Sequence, residues 1–141
     1  MQRKASAVWQ GELKTGKGSL STESKIFEQT PYSFGTRFEN EKGTNPEELI
    51  AAAHAGCFAM ALSNQLGQVG ITPQKLAVTA TVSLEQGAQG FSITKSHLDL
   101  IADIPGADKS KFAEAVKAAE TGCPVSKLLK AEISVTSTLN S

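Results

Sequence analysis

Apolar and polar positions alternate along much of this chain. The run VTATVSL, Val78 to Leu84, places Val78, Ala80, Val82 and Leu84 on one face, the period of a half-buried strand. EQGAQG turns the chain, and FSITKSHLDLIA returns it as a second strand. Its apolar parity changes between Ile93 and Leu98, which predicts a bulge or bend there. ISVTSTL near the end alternates again. At the start, Ala7, Trp9 and Leu13 share one parity, KTGKGS at Lys14 to Ser19 reads as a turn, and LSTESKIF follows. Pro31 then opens a third extended piece, YSFGTRFE.

The pattern changes period after ENEKG. From Leu49 to Leu62 almost no polar face remains, because Ala51, Ala52, Ala53, Ala55, Gly56, Ala59 and Ala61 fill the gaps between larger apolar residues. Such a helix is expected to be buried on all sides, against a sheet and against another helix or a second subunit. Its start is well marked: Asn45 suits the N-cap, Pro46 the first helical position, and Glu48 the carboxylate of a capping box. Thr44 with Glu47 forms a competing box one residue earlier. The helix is predicted to run to about Leu66, with Gly67, Gly70 and Pro73 ending it. A second helix is predicted over Ser110 to Glu120, stopped by Gly122, and a short third one begins at Pro124.

The order is therefore βββ-α-ββ-α-α-β, with hairpins in place of regular βαβ crossovers. This pattern predicts an α+β fold with antiparallel sheets, in one domain spanning 1–141.

Charge narrows the partners. Fourteen basic residues balance fourteen acidic ones. With no basic face expected, nucleic acid is not expected as a partner. MQRKASAVWQ lacks the apolar run of a secretory signal, and no window of about 20 apolar residues suggests a bilayer span. A cytoplasmic protein with no membrane association is the expectation. In a reducing compartment the two cysteines, Cys57 and Cys123, read as packing, metal ligands or redox groups before they read as a permanent disulfide.

Cys57 lies deep in the alanine-rich helix. A thiol there needs help of about 3 kcal/mol to reach a pKa near 6, and the helix dipole is three turns away. The help has to come from another segment. The chain has two arginines, Arg3 in a start that is expected to fray and Arg37 between Phe34 and Phe38. Arg37 has the planar charged fork that can be held between a carboxylate and a thiolate; a surface arginine with a packed stem is the commoner reading. If Glu48 caps the helix, Glu47 is left free, yet it stands ten residues, or about 15 Å, before Cys57 on one helix. An antiparallel copy of the helix from a second subunit is one way to bring them together. The plainer reading is that both glutamates favour the helix N-terminus. Cys123, in TGCPVSK, stands at the N-cap of the third helix, a setting that lowers a thiol pKa; a small buried residue at a turn is the alternative. His54, one turn before Cys57, reads as a base, a metal ligand or satisfied packing. No metal is expected, since CxxC and HExxH spacings are lacking.

Two segments together, TRFENEKGTNPEELIAAAHAGCFAMAL and GCPVSKLLKAEI, resemble the OsmC branch of the OsmC/Ohr hydroperoxide reductases, and the resemblance extends over nearly the whole chain. It implies a thiol peroxidase that reduces organic hydroperoxides to alcohols without a bound cofactor. By motif, Cys57 matches the peroxidatic cysteine and Cys123 the resolving one. Arg37 matches the arginine that pairs with the thiolate, and Glu47 the carboxylate that orients it, with adjacent Glu48 as the alternative. The resemblance also implies an intertwined homodimer, its sheets packed around central helices, with sites at the subunit interface. The reductant it implies is an external dithiol such as a dihydrolipoyl carrier protein. Phe34, Phe38, Leu49, Ile50 and Phe58 are the expected apolar lining, favouring bulky alkyl or lipid peroxides. Two other readings stand beside it: a dimer holding an apolar ligand between inert cysteines, and an acyl hydrolase using Cys57 with His54.

Overall fold

Strand pairing organises the chain around two three-stranded sheets. The computed structural model describes residues 1–141 and divides into two units, Met1–Leu49 and Ile50–Ser141.

In the first unit β1 (Ala5–Gln10), β2 (Lys17–Thr22) and β3 (Thr30–Tyr32) form an antiparallel sheet in that order. Trp9, Gly18 and Tyr32 stand side by side across the three strands. The two rings pack with centroids 5.6 Å apart, and a Cβ on Gly18 would come within 2.4 Å of the Tyr32 ring. Only glycine fits between them.

The segment after β3 departs from expectation. Residues Phe34–Phe38, read as part of a strand, form a short helix, α1. Ser33 Oγ accepts from the Thr36 N–H at 3.2 Å, and Thr36 Oγ1 accepts from the Ser33 N–H at 2.9 Å. This reciprocal cap outweighs the strand preference of the aromatic residues. Glu41 folds back over α1 and accepts from Ser33 Oγ at 2.8 Å, packing where a Cβ on Gly35 would stand.

Helix α2 (Pro46–Gln68) starts in the first unit and continues into the second. Asn45 Oδ1 accepts from the Glu48 N–H at 2.8 Å, the predicted N-cap. The Glu48 carboxylate does not close the box; it accepts from Thr44 Oγ1 at 2.7 Å.

The second unit adds β4 (Lys75–Gly87), β5 (Gly90–Asp103), α3 (Lys109–Gly122), α4 (Pro124–Leu128) and β6 (Glu132–Asn140). β4 and β5 form a hairpin whose register slips where Ser83 pairs with Lys95 but Leu84 with Ile93. Thr94 is the extra residue, which places the bulge inside the predicted window. β5 pairs with β6 in parallel, so this sheet is mixed where antiparallel pairing was expected throughout. The α3–α4 segment supplies the crossover that a parallel pair requires.

The core of this unit is formed by Phe58, Leu62 and Leu66 of α2 packing with Leu98 and Leu100 of β5 and Phe112 of α3. Asp108 caps α3 by accepting from the Lys111 N–H at 2.9 Å.

Two further expectations change at α2. Burial is confined to the stripe His54, Phe58, Leu62 and Leu66, while Ala52, Ala53, Gly56 and Met60 are exposed. By length and composition α2 is also apolar enough to cross a bilayer, contrary to the sequence reading. Here its buried stripe is occupied by protein.

Candidate active site

Within the second unit the chain's two cysteines meet. Cys57 faces inward from α2, and Cys123 is held at the joint between α3 and α4. The Cys123 N–H donates to Ala119 O at 3.0 Å, closing α3, and its own carbonyl accepts from the Lys127 N–H at 3.1 Å, opening α4. Pro124 takes the first position of α4, where a missing N–H costs nothing. The result is a fully buried Cys123 whose Sγ lies 2.6 Å from Sγ of half-buried Cys57. Both are free thiols. A disulfide bond of about 2.05 Å needs only a small movement from there.

The electrostatics of Cys57 run against easy ionisation. Burial pushes its thiol above the ordinary value, the adjacent Cys123 thiol adds to this, and a hydrogen bond from the Val125 backbone N–H works the other way.

His54 is fully buried one turn earlier. Its Nδ1 lies 2.5 Å from Ser96 Oγ and its Nε2 2.8 Å from Ser126 Oγ. The ring nitrogens of His54 meet these two serine hydroxyls while the Cys57 thiol meets Cys123, so the Cys57–His54 pair that the acyl-hydrolase alternative requires is not supported.

The first unit holds the other predicted pair. The Arg37 guanidinium grips Glu47 through Nε to both carboxylate oxygens at 3.2 Å and through Nη2 to Oε1 at 2.8 Å. Glu47 is nearly buried. The capped α1 supplies Arg37 and the first turn of α2 supplies Glu47. Asn45 ties the two helices by donating from Nδ2 to Thr36 O at 3.1 Å. Glu48 is exposed and occupied by Thr44, so of the two adjacent carboxylates Glu47 is the one that meets the arginine.

Arg37 also stacks over the Phe38 ring at 5.1 Å, and Phe34 packs on Phe38 at 4.9 Å. These residues line a cavity of about 250 Å³ together with Trp9, Leu13, Tyr32 and Ser33. Sequence reasoning named Arg37, Phe34 and Phe38 but missed the other four, although the shared parity of Trp9 and Leu13 was the available signal. Leu49 and Ile50 are half-buried on α2 and do not line this cavity, and Phe58 is fully buried in the core of the second unit.

A family model of OsmC-like proteins matches residues 39–138. The chain belongs to the OsmC family. It is 53% identical to the peroxiredoxin OsmC of Escherichia coli (strain K12) over 135 residues, 96% of this chain and 94% of the relative. It is 35% identical over 98 residues to an organic hydroperoxide resistance protein of Xanthomonas axonopodis pv. citri, covering 69% of this chain and 67% of that one. Among solved structures, an OsmC-like protein from Mycoplasma pneumoniae superposes with a TM-score of 0.77 over 100% of this chain and 99% of that one. At 18% identity that likeness supports the OsmC fold alone.

Proposed function

We propose that this OsmC-family chain is a thiol-dependent peroxidase that reduces organic hydroperoxides to alcohols, with Cys57 attacking and Cys123 resolving. The observation that carries the reading is the 2.6 Å approach of the chain's two cysteines, 66 residues apart in sequence. The relatives named for peroxiredoxin activity and for organic hydroperoxide resistance point the same way.

The Cys57 thiolate attacks the distal peroxide oxygen. The O–O bond breaks, and the departing alkoxide takes a proton to become the alcohol. Cys57 is left as a sulfenic acid. Cys123 then attacks that sulfur, the S–O bond breaks, and the hydroxide leaves with a proton as water. An external dithiol, of the dihydrolipoyl class, returns two electrons and two protons to the disulfide. No bound cofactor enters the cycle.

A thiol raised by burial needs a cation. The Arg37–Glu47 pair of a second protomer is our candidate, in a homodimer that covers the exposed small-residue face of α2 at Ala52, Ala53 and Gly56. That face lets another helix approach closely, and the dimer answers the span of about 15 Å between Glu47 and Cys57 along one helix. Arg37 stabilises both the thiolate and the charge on the leaving oxygen. The aromatic cavity beside Arg37 favours bulky alkyl or aryl peroxides over hydrogen peroxide. A cytoplasmic setting supplies the reductant the cycle consumes.

Steady-state turnover with dihydrolipoamide tests the assignment. Cumene hydroperoxide is expected to be reduced with kcat/KM roughly tenfold or more above that for hydrogen peroxide, as an apolar pocket allows. Absence of turnover with either peroxide contradicts it.

A further inference from the structure

His54 has no role in the peroxide chemistry just described, yet three elements meet at its ring. It is fully buried on α2, with Ser96 of β5 on one nitrogen and Ser126 of α4 on the other. Ser96 is fully buried too, and Ser126 nearly so. Burial lowers the imidazole pKa, so the ring is neutral at pH 7, with one nitrogen donating and the other accepting. Each hydroxyl rotates to complement its nitrogen, leaving no uncompensated charge in the core.

Helix α4 has little else to hold it. It is five residues long, and Pro124, Lys127 and Leu128 are exposed, so Ser126 and half-buried Val125 are its inward side chains. A helix so short has no stability of its own. It nonetheless carries the Val125 N–H that donates to Cys57, and it follows directly on Cys123. The spacing is matched on both sides. His54 and Cys57 are three residues apart on α2, and Cys123 and Ser126 are three apart across the start of α4. The contacts His54–Ser126 and Cys57–Cys123 are thus neighbouring rungs between the same two segments.

We propose that His54 is a positioning residue for the thiol pair: through Ser126 it docks α4 on α2, keeps Cys123 Sγ within reach of Cys57 Sγ, and so sets how readily the disulfide closes. Its consequence for peroxide rests on the two-cysteine reading above. With α4 loosened, the Cys57 sulfenic acid persists longer. A second hydroperoxide then oxidises it to the sulfinic acid, releasing a second alcohol in place of the disulfide.

The first test uses no peroxide. Wild type, S126A, H54A, the double variant, H54Q and H54N are equilibrated with reduced and oxidised glutathione, and the fraction of free thiols is read by alkylation and mass spectrometry. S126A and H54A are expected to lower the effective concentration of the pair roughly tenfold or more, and the double variant to be no worse than the weaker single one. H54Q, whose amide reaches the Nε2 position facing Ser126, restores most of the loss; H54N, whose amide reaches the Nδ1 position, does not. Circular dichroism confirms the fold of each variant, and S126A carries the test if the histidine variants do not fold. A folded S126A with the wild-type equilibrium overturns the proposal, as does H54Q behaving no better than H54N.

The second test measures sulfinic acid per turnover with cumene hydroperoxide, expected to rise several-fold in S126A; an unchanged yield overturns the kinetic consequence. If S126A shifts the glutathione equilibrium while no variant reacts with peroxide, the peroxidase reading fails and the positioning role stands.

Discussion

Arg37 and Glu47 are joined by both Nε and Nη2 of the guanidinium, and the carboxylate of that pair is nearly buried. Charge-assisted bonds to both carboxylate oxygens fix the plane of the guanidinium as well as its place. Glu48, its neighbour, is spent on the Thr44 hydroxyl at the surface. The two glutamates therefore predict different phenotypes. Glu47→Gln is expected to lower kcat/KM for cumene hydroperoxide by roughly 10–100-fold, the scale of about 1.5–3 kcal/mol for hydrogen bonds to charged groups. Glu48→Gln stays within about threefold, as an exposed site does. Equal losses in steady-state assays contradict the assignment.

Cys57 provides a pH test. Within its own unit, burial and the Cys123 thiol raise its pKa. If Arg37 of a second protomer faces the thiolate, it lowers that pKa in the assembled protein. Iodoacetamide alkylation followed against pH, in a Cys123→Ser background, is expected to rise at lower pH with Arg37 present than in Arg37→Ala. Each unit of difference is about tenfold in thiolate at neutral pH. Superimposable profiles mean that Arg37 does not act on Cys57.

Acid should loosen the second unit through His54. Its folded pKa lies below the ordinary 6.5, so the neutral ring stabilises the fold above that value. This contribution is lost as pH falls from 6.5 through the folded value. Urea midpoints are expected to decline over that range in the wild type and more shallowly in His54→Gln, which has nothing to protonate there. Identical slopes would show that the fold carries a protonated His54 without penalty.

Phe58 was read from the sequence as pocket lining, but it is fully buried in the core of the second unit. Phe58→Ala is expected to cost about 3–5 kcal/mol in denaturant unfolding, the usual range for a buried aromatic. A loss below about 1 kcal/mol, with altered substrate preference, would return it to the pocket.

Legibility varied with the range of the signal. The N-cap at Asn45, the alternation of β4 and the bulge at Thr94 are written in residues a few positions apart, and all three appear as predicted. The α1 helix is equally local, but aromatic and β-branched residues masked the Ser33–Thr36 cap that decides it. Parallel pairing of β5 with β6 depends on contacts across the whole α3–α4 crossover, which alternation within either strand does not encode. For the candidate site, the residue types were readable and the pairings only partly so. The choice of Glu47 over Glu48 depends on Thr44 capturing one carboxylate. The His54 contacts depend on two serines, Ser96 and Ser126, that lie 30 residues apart with nothing in their local sequence to mark them.

The most direct measurement is a titration of the fully reduced protein with cumene hydroperoxide, counting free thiols and cumyl alcohol together. Two thiols are expected to be lost per chain for each alcohol formed, and no alcohol is expected from Cys57→Ser. With Cys123→Ser, the first equivalent of peroxide gives one alcohol and a sulfenic acid at Cys57, and only further peroxide takes it to the sulfinic acid. Unchanged thiols under excess peroxide would contradict this two-cysteine cycle, leaving the Cys57–Cys123 contact as packing.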